Sequence, residues 1–118
     1  MATAIYVHDD EAVDYTPSTA VAAGDVVVQG DLIGVAKQPI AANALGALAV
    51  EGVFDFPKAS GAGTGLAAGT KVYWNATGHV VTASANDGAT PPVAFVLLGK
   101  VARAAADADT IVRVRLMQ

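Results

Sequence analysis

Short valine-rich runs, cut repeatedly by glycine, proline, asparagine and aspartate, most strongly limit what this chain can fold into. The 118 residues include 17 valines, 12 glycines and 5 prolines. The 26 alanines favour helix, but turn-forming residues interrupt them before a helical apolar repeat can develop. Because short apolar runs at this spacing are typical of sandwiches and barrels, the sequence predicts an all-β fold. We expect a small single-domain β-sandwich or partly open β-barrel of about seven or eight short strands.

The N-terminal region has the composition of an extended arm, residues 1–18, ahead of a single β domain, residues 19–118. It contains the β-prone run Ile5-Tyr6-Val7, then an acidic stretch, and it ends near Pro17, whose nitrogen cannot pair in a β-ladder. Such a segment offers few core positions. Residues 1 to about 16 are therefore predicted to pack poorly on their own protomer.

Two hairpins are predicted within the domain. Gly24-Asp25 opens the first, in which residues 26–28 and 32–36 are joined by a glycine-containing turn. Gly34 lies inside its second strand and indicates a bulge or a close backbone approach. The second hairpin covers residues 71–82, with Gly78 predicted to take a positive φ.

Three further extended segments complete the strand prediction. Residues 47–56 form one, which Gly52 kinks, and residues 93–104 form another. In the last, residues 110–117, apolar side chains alternate with Arg113 and Arg115, so one face is buried and the other is basic. The side chains predicted to lie inside are Val72, Trp74, Val112, Val114 and Leu116.

Charge is unevenly distributed along the chain. The net charge is −4, and six acids and no base precede Lys37, whereas residues 37–118 hold seven bases and five acids. An acidic chain without a dense Lys/Arg cluster is not typical of nucleic-acid binders. No apolar run approaches the roughly 18 residues of a membrane span. We therefore expect neither a nucleic-acid nor a membrane partner, and a protein made in the cytoplasm.

The sequence offers little catalytic chemistry. Without cysteine there is no disulfide, thiolate metal site or thiol nucleophile. The glycine-rich residues 61–71 lack the spacing of a phosphate-binding loop, and residues 59–70 are predicted to form a mobile surface loop. Residues 8–11 combine His, Asp and Glu but alternate in direction, and His79 has no acidic or serine companion nearby. We therefore predict no cofactor, no metal and no catalytic residue.

Four aromatic residues allow two interpretations. Tyr73, Trp74, Phe54 and Phe56 could form a platform for a ligand, or they could pack within the core. Core packing is favoured because buried aromatic side chains dominate the packing of small β domains.

Several short segments together resemble the capsid cement, or decoration, proteins of tailed bacteriophages. Each is weakly specific alone, but their ordered combination covers about residues 5–117. They are Asp-Tyr-Thr-Pro at 14–17, Ala-Gly-Asp-Val-Val-Val at 23–28, Gly-Val-Ala at 34–36, Glu-Gly-Val-Phe at 51–54, Phe-Pro-Lys-Ala at 56–59, Gly-Thr-Lys-Val-Tyr-Trp at 69–74 and Val-Arg-Val-Arg-Leu at 112–116.

The resemblance implies a β-rich structural protein on the outer surface of an assembled phage head. It implies a homotrimer that ties neighbouring major capsid subunits together, is made in the bacterial cytoplasm and has no catalytic residues. An extended arm could add a strand to a neighbour's sheet edge. The competing hypothesis is a non-enzymatic glycan-binding or ligand-binding β module of a phage particle, using Tyr73, Trp74 and residues 59–70; a small hydrolase on a β scaffold is a third.

The predicted functional positions fall into two groups. The capsid-contact candidates are Ile5, Tyr6, Val7, Asp14, Tyr15 and Pro17. The structural turn and core positions are Gly24, Asp25, Gly34, Gly52, Gly78, Val72, Trp74, Val112, Val114 and Leu116.

Overall fold

The computed structural model describes residues 4–5 and 12–117 and has nine strands within them. All strand pairs are antiparallel, in one sheet of four strands and one of five, so the all-β prediction is confirmed with one or two more strands than expected. The strands are β1 (Ala12–Tyr15), β2 (Val26–Gln29), β3 (Leu32–Val35), β4 (Gly46–Ala49), β5 (Gly52–Pro57), β6 (Lys71–Asn75), β7 (Val80–Thr82), β8 (Val96–Arg103) and β9 (Ile111–Leu116). No helix among these residues is long and apolar enough to cross a membrane.

The five-stranded sheet, with strand order β5-β9-β8-β6-β7, provides most of the core. Strand β9 alternates exposed and buried residues along its whole length, as its sequence predicts. Phe56 and Trp74 pack side by side, with ring centroids 6.1 Å apart. Burial of Val72, Trp74, Val112, Val114 and Leu116 is confirmed, since each is at most 5% exposed. Each such side chain stabilises the fold by about 1.5–3 kcal/mol relative to an exposed one.

The four-stranded sheet has the order β1-β4-β3-β2. It packs on the five-stranded sheet through β3, which contacts β8. Ile33 and Val35 of β3 belong to the main core cluster. On the opposite face Leu48 of β4 packs with Ala36 and Ile40, so a second, smaller cluster lies beneath the connection between β3 and β4.

The predicted first hairpin is confirmed as β2 and β3. Gly24 has φ 90° just before β2, where the carboxylate of Asp25 accepts a hydrogen bond from the Ala22 amide at 2.9 Å. Gly34 is a close-approach position, because a Cβ there would lie 2.8 Å from the Cβ of Leu48. The second hairpin, β6 and β7, is also confirmed.

Gly52 and Gly78 behave differently. Gly52 has φ 120° where the chain leaves one sheet and enters the other, so its predicted kink is confirmed. The single extended segment predicted over residues 47–56 is wrong, because the structure divides it into β4 and β5, which belong to different sheets. The positive φ predicted for Gly78 is wrong, because it falls on His79, at 54°. The cause is Asn75, whose side-chain Oδ1 accepts hydrogen bonds from the amides of Thr77 and Gly78 and shapes the loop ahead of His79.

The prediction that residues 1 to about 16 pack poorly is wrong for residues 12–15. They form β1, which pairs with β4 of the same chain from Ala12 opposite Ala49 to Tyr15 opposite Gly46. The sequence pattern missed this because the partner strand lies far along the chain. Residues 6–11 lie outside the described residues, and the boundary between arm and domain at residue 18 stays a prediction.

The glycine-rich residues 59–70 are held by the facing connection, residues 104–110. The Gly65 amide donates to the Asp107 carboxylate at 2.6 Å, and Leu66 exchanges two backbone hydrogen bonds with Ala105. Lys58, only 4% exposed, donates from Nζ to oxygens of both connections. Most of residues 59–70 are exposed, as predicted for a surface loop, but these contacts attach the segment to the facing connection and argue against its predicted mobility. Composition alone could not reveal a partner 42 residues away.

Candidate functional site

The outer face of the five-stranded sheet carries most of the positive charge of the chain. Of the seven bases, five lie there with exposed side chains, together with one acid. We call this surface the basic face. Its charged residues are Lys71 of β6, Lys100 and Arg103 of β8, Arg113 and Arg115 of β9, and Asp55 of β5.

Strand register brings three of these bases into one row. Lys71 lies directly opposite Lys100, and Lys100 lies directly opposite Arg115. Directly opposite side chains have Cβ atoms only about 4.5–5.5 Å apart, so like charges there repel. Among the residues that the structure describes, none of the three has a carboxylate within 4.0 Å. The row therefore has uncompensated positive charge.

The remaining part of the basic face is partly neutralised by Asp55. Arg113 donates to both carboxylate oxygens of Asp55, at 2.9 and 3.3 Å. This hydrogen bonding holds the pKa of Asp55 below its ordinary 3.8; desolvation opposes the effect, and the charges of Arg113 and Arg103 add to it. Asp55 is thus ionised at neutral pH and offsets one of the five bases.

Exposed apolar side chains border the same surface. Val53 of β5 and Ile111 of β9 are 55% and 58% exposed, and Met117 follows the end of β9. Apolar groups combined with arginine are typical of protein–protein interfaces. The basic face therefore combines arginine side chains with exposed apolar groups at its margin.

The six predicted capsid-contact residues are not alike in the structure. Ile5 is 89% exposed and Asp14 is exposed, so both side chains are accessible. Tyr15 is half-buried against the second core cluster and Pro17 is buried, so their side chains already pack within the chain. Tyr6 and Val7 lie outside the described residues.

Strand β1 itself has an open edge. It pairs only with β4 in the order β1-β4-β3-β2, which leaves its other side without a strand in the described part of the chain. A groove of about 450 Å³ lies on the face that β1 shares with β4, on the paired side of β1, and is lined by Ala12, Ala47 and Ala49 together with residues 37–41 and 44–46. Leu45 is 72% exposed there. An unpaired strand edge can accept an extended segment from another chain.

Two of the aromatic rings and several amides of residues 59–70, which were candidates for binding a small ligand, make contacts within the chain instead. Trp74 and Phe56 are buried, so the predicted preference for core packing is confirmed for these two rings and neither can serve as a platform. Amides of the glycine-rich connection donate to oxygens of this chain, including Gly61 to Asp107 O at 2.7 Å. His79 is exposed and lies edge-on to Trp74 at 6.4 Å. Among the described residues no group of three His, Asp or Glu could hold a metal ion.

Sequence reasoning identified only two members of the basic face. Arg113 and Arg115 alternate visibly with valine and leucine, whereas Lys71, Lys100 and Arg103 are scattered over two other strands. Their convergence depends on the pairing of β8 with β6 and β9. The sequence signal for this convergence was that β6, β8 and β9 contain no acidic residue.

Comparison with known families agrees with this picture of a binding protein. The family model of phage cement proteins matches residues 7–116. That range includes all nine strands and hence both sheets. No curated protein and no solved structure matches the chain. The resemblance seen in the sequence is confirmed, and the chain belongs to the phage cement protein family, whose role is structural and lies in the phage capsid.

Proposed function

We propose that this protein binds the outer surface of an assembled phage head and reinforces contacts between neighbouring major capsid subunits. The family match over residues 7–116 is the observation that carries the proposal. Such a function needs extended binding surfaces, which the basic face and the β1 edge supply. It requires no catalytic residue, cofactor or metal, and we propose that the protein is not an enzyme.

The contacts would be individually weak and collectively strong. Copies held around a symmetry axis engage several sites at once, so their effective affinity exceeds that of a single contact. We propose a homotrimer as the bound form. The net charge of −4 disfavours contact with packaged DNA, which is consistent with a position outside the shell.

The N-terminal region would contribute one of these contacts. The free edge of β1 can pair with an extended segment of a neighbouring subunit through main-chain hydrogen bonds. The predicted contact residues with exposed side chains are Ile5 and, within β1 itself, Asp14.

Co-sedimentation with purified heads tests the function. We expect the protein to pellet with empty expanded heads and to bind immature heads much less, because only the expanded lattice presents the assembled contact sites. Bound protein should also raise the temperature at which the heads disrupt. Equal binding to both head forms, or binding only to particles opened to release their DNA, would contradict the proposal.

A further inference from the structure

The row Lys71, Lys100 and Arg115 is unfavourable for the isolated protein. Three like charges occupy directly opposed positions on adjacent strands, where a carboxylate at the middle position would give favourable pairs on both sides. Folding supplies no reason for this arrangement. Local features that oppose stability are expected at functional sites.

The distribution of charge over the whole chain points to the kind of partner. The strand positions of the basic face have five bases and one acid, and the remainder of the chain has two bases and ten acids. A long polyanion such as DNA would extend beyond this face and meet that acidic remainder. Asp55 within the face and the exposed Val53 and Ile111 beside it also favour a protein partner over a phosphate backbone.

We infer that the basic face docks onto a carboxylate-rich, partly apolar surface of the major capsid subunits. This inference rests on the proposed function and adds to it the face of the molecule that meets the shell and the chemistry it recognises. In the bound state, capsid carboxylates lie between the three bases and remove their mutual repulsion. Val53 and Ile111 contact apolar groups at the margin of the same interface.

Two exposed lysines provide a matched pair of variants for the test. Lys100→Glu changes the centre of the row, and Lys37→Glu makes the same change of charge in the connection after β3, away from the basic face. Binding to empty expanded heads is measured by co-sedimentation for both variants and the wild type at about 50 and 200 mM salt. Thermal unfolding of the free proteins and a gel shift with duplex DNA accompany it.

Lys100→Glu is expected to weaken head binding at least tenfold, and Lys37→Glu to change it less than about twofold. Wild-type binding should weaken as salt rises, since salt screens exposed charges over about 8–10 Å. The free Lys100→Glu protein should unfold at an unchanged or slightly higher temperature, because the introduced carboxylate would pair with both neighbouring bases. Weaker head binding without a lower unfolding temperature would show that Lys100 acts in the interface and not in stabilising the fold.

Each contrary result overturns the inference in an identifiable way. If the wild type pellets with heads and Lys100→Glu pellets equally well, the basic face is not the docking surface, while the proposed function stands. An equal loss for Lys37→Glu would indicate a general charge effect. A DNA gel shift that Lys100→Glu abolishes would assign the face to nucleic acid. If the wild type does not pellet with heads, the proposed function and this inference fail together.

Discussion

Gly99 occupies a position in β8 where no side chain fits. A Cβ there would overlap the carbonyl oxygen of Arg115 in β9, and it would lie 3.0 Å from the Met117 amide nitrogen. Since these are backbone atoms of a paired strand, they cannot move without separating β8 from β9. We expect Gly99→Ala to lower the free energy of unfolding by about 3 kcal/mol, as overpacking of a rigid site does. Urea unfolding followed by tryptophan fluorescence measures this.

Gly78→Ala is the matched control for that variant. Gly78 has no positive φ, and the nearest atom to an added Cβ is the side-chain nitrogen of Asn75, at 3.2 Å. A side chain can give way where a backbone cannot, so the cost should stay below about 1 kcal/mol. Equal effects of the two substitutions would show that the crowding at Gly99 is not decisive.

Lys58 has a structural role unusual for a lysine. Its ammonium donates to Ala59 O, Thr64 Oγ1 and Asp109 O at 2.7, 3.1 and 3.0 Å, and so joins the two connections at that end of the five-stranded sheet. Removing the ammonium leaves these oxygens without its hydrogen bonds. The loss of a donor to a buried acceptor lowers the free energy of unfolding by about 1–3 kcal/mol. Lys58→Met should therefore destabilise the protein by roughly 2–4 kcal/mol and speed proteolysis of residues 59–70.

The exposed Lys37 supplies the comparison for Lys58. Lys37→Met removes the same charge from the surface and should alter unfolding by less than about 0.5 kcal/mol. Amine-reactive labelling of the wild type gives an independent measurement, since Lys58 should react far more slowly than Lys37. Rapid labelling of Lys58 in the folded protein would contradict its burial.

At the scale of the element, we expect residues 2–11 and strand β1 to contribute differently to stability. Deleting residues 2–11 leaves β1 intact, so we expect little change in stability together with weaker head binding. Deleting residues 2–16 also removes the pairing of β1 with β4 and the packing of Val13 and Tyr15 on the second cluster. That larger deletion should cost roughly 2–4 kcal/mol in urea unfolding, from two half-buried side chains and their ladder. The same loss from both deletions would show that residues 2–11 are part of the fold.

The elements that could be predicted are those whose evidence is local. The β2–β3 and β6–β7 hairpins follow from apolar runs beside short turns, and the burial of β9 follows from its alternation. Pairings between distant segments leave no comparable pattern. The joining of β1 to β4 and the burial of Lys58 depend on residues that meet only in the folded chain.

At the scale of the whole molecule, the order of strands along the chain explains where the charge lies. Strands β1 to β4 make one sheet and β5 to β9 the other, so the nine described strands cross between sheets once, at Gly52. Of the acids before Lys37, Asp14, Asp25 and Asp31 therefore belong to the first sheet and its connections, and the bases after residue 70 belong to the second. This asymmetry was visible in the sequence. The concentration of bases on the outer face of the second sheet was not visible, because it depends on how β8 is aligned with β6 and β9.

The small size of the chain and its one-sided distribution of positive charge bear on its assembly. The chain has a mass of 11.8 kDa, and a single copy contacts the shell at one place through one face. Three copies around a three-fold axis repeat each contact and make release cooperative. We expect either a homotrimer of about 35 kDa in free solution, three times the chain mass, or a monomer that trimerises on the shell. Sedimentation velocity distinguishes these forms in solution, and the number of copies per head distinguishes them when bound. Binding in groups of three should give a steep dependence on protein concentration for a monomer that assembles on the shell. A monomer in both settings, with a simple hyperbolic isotherm, would contradict the trimer.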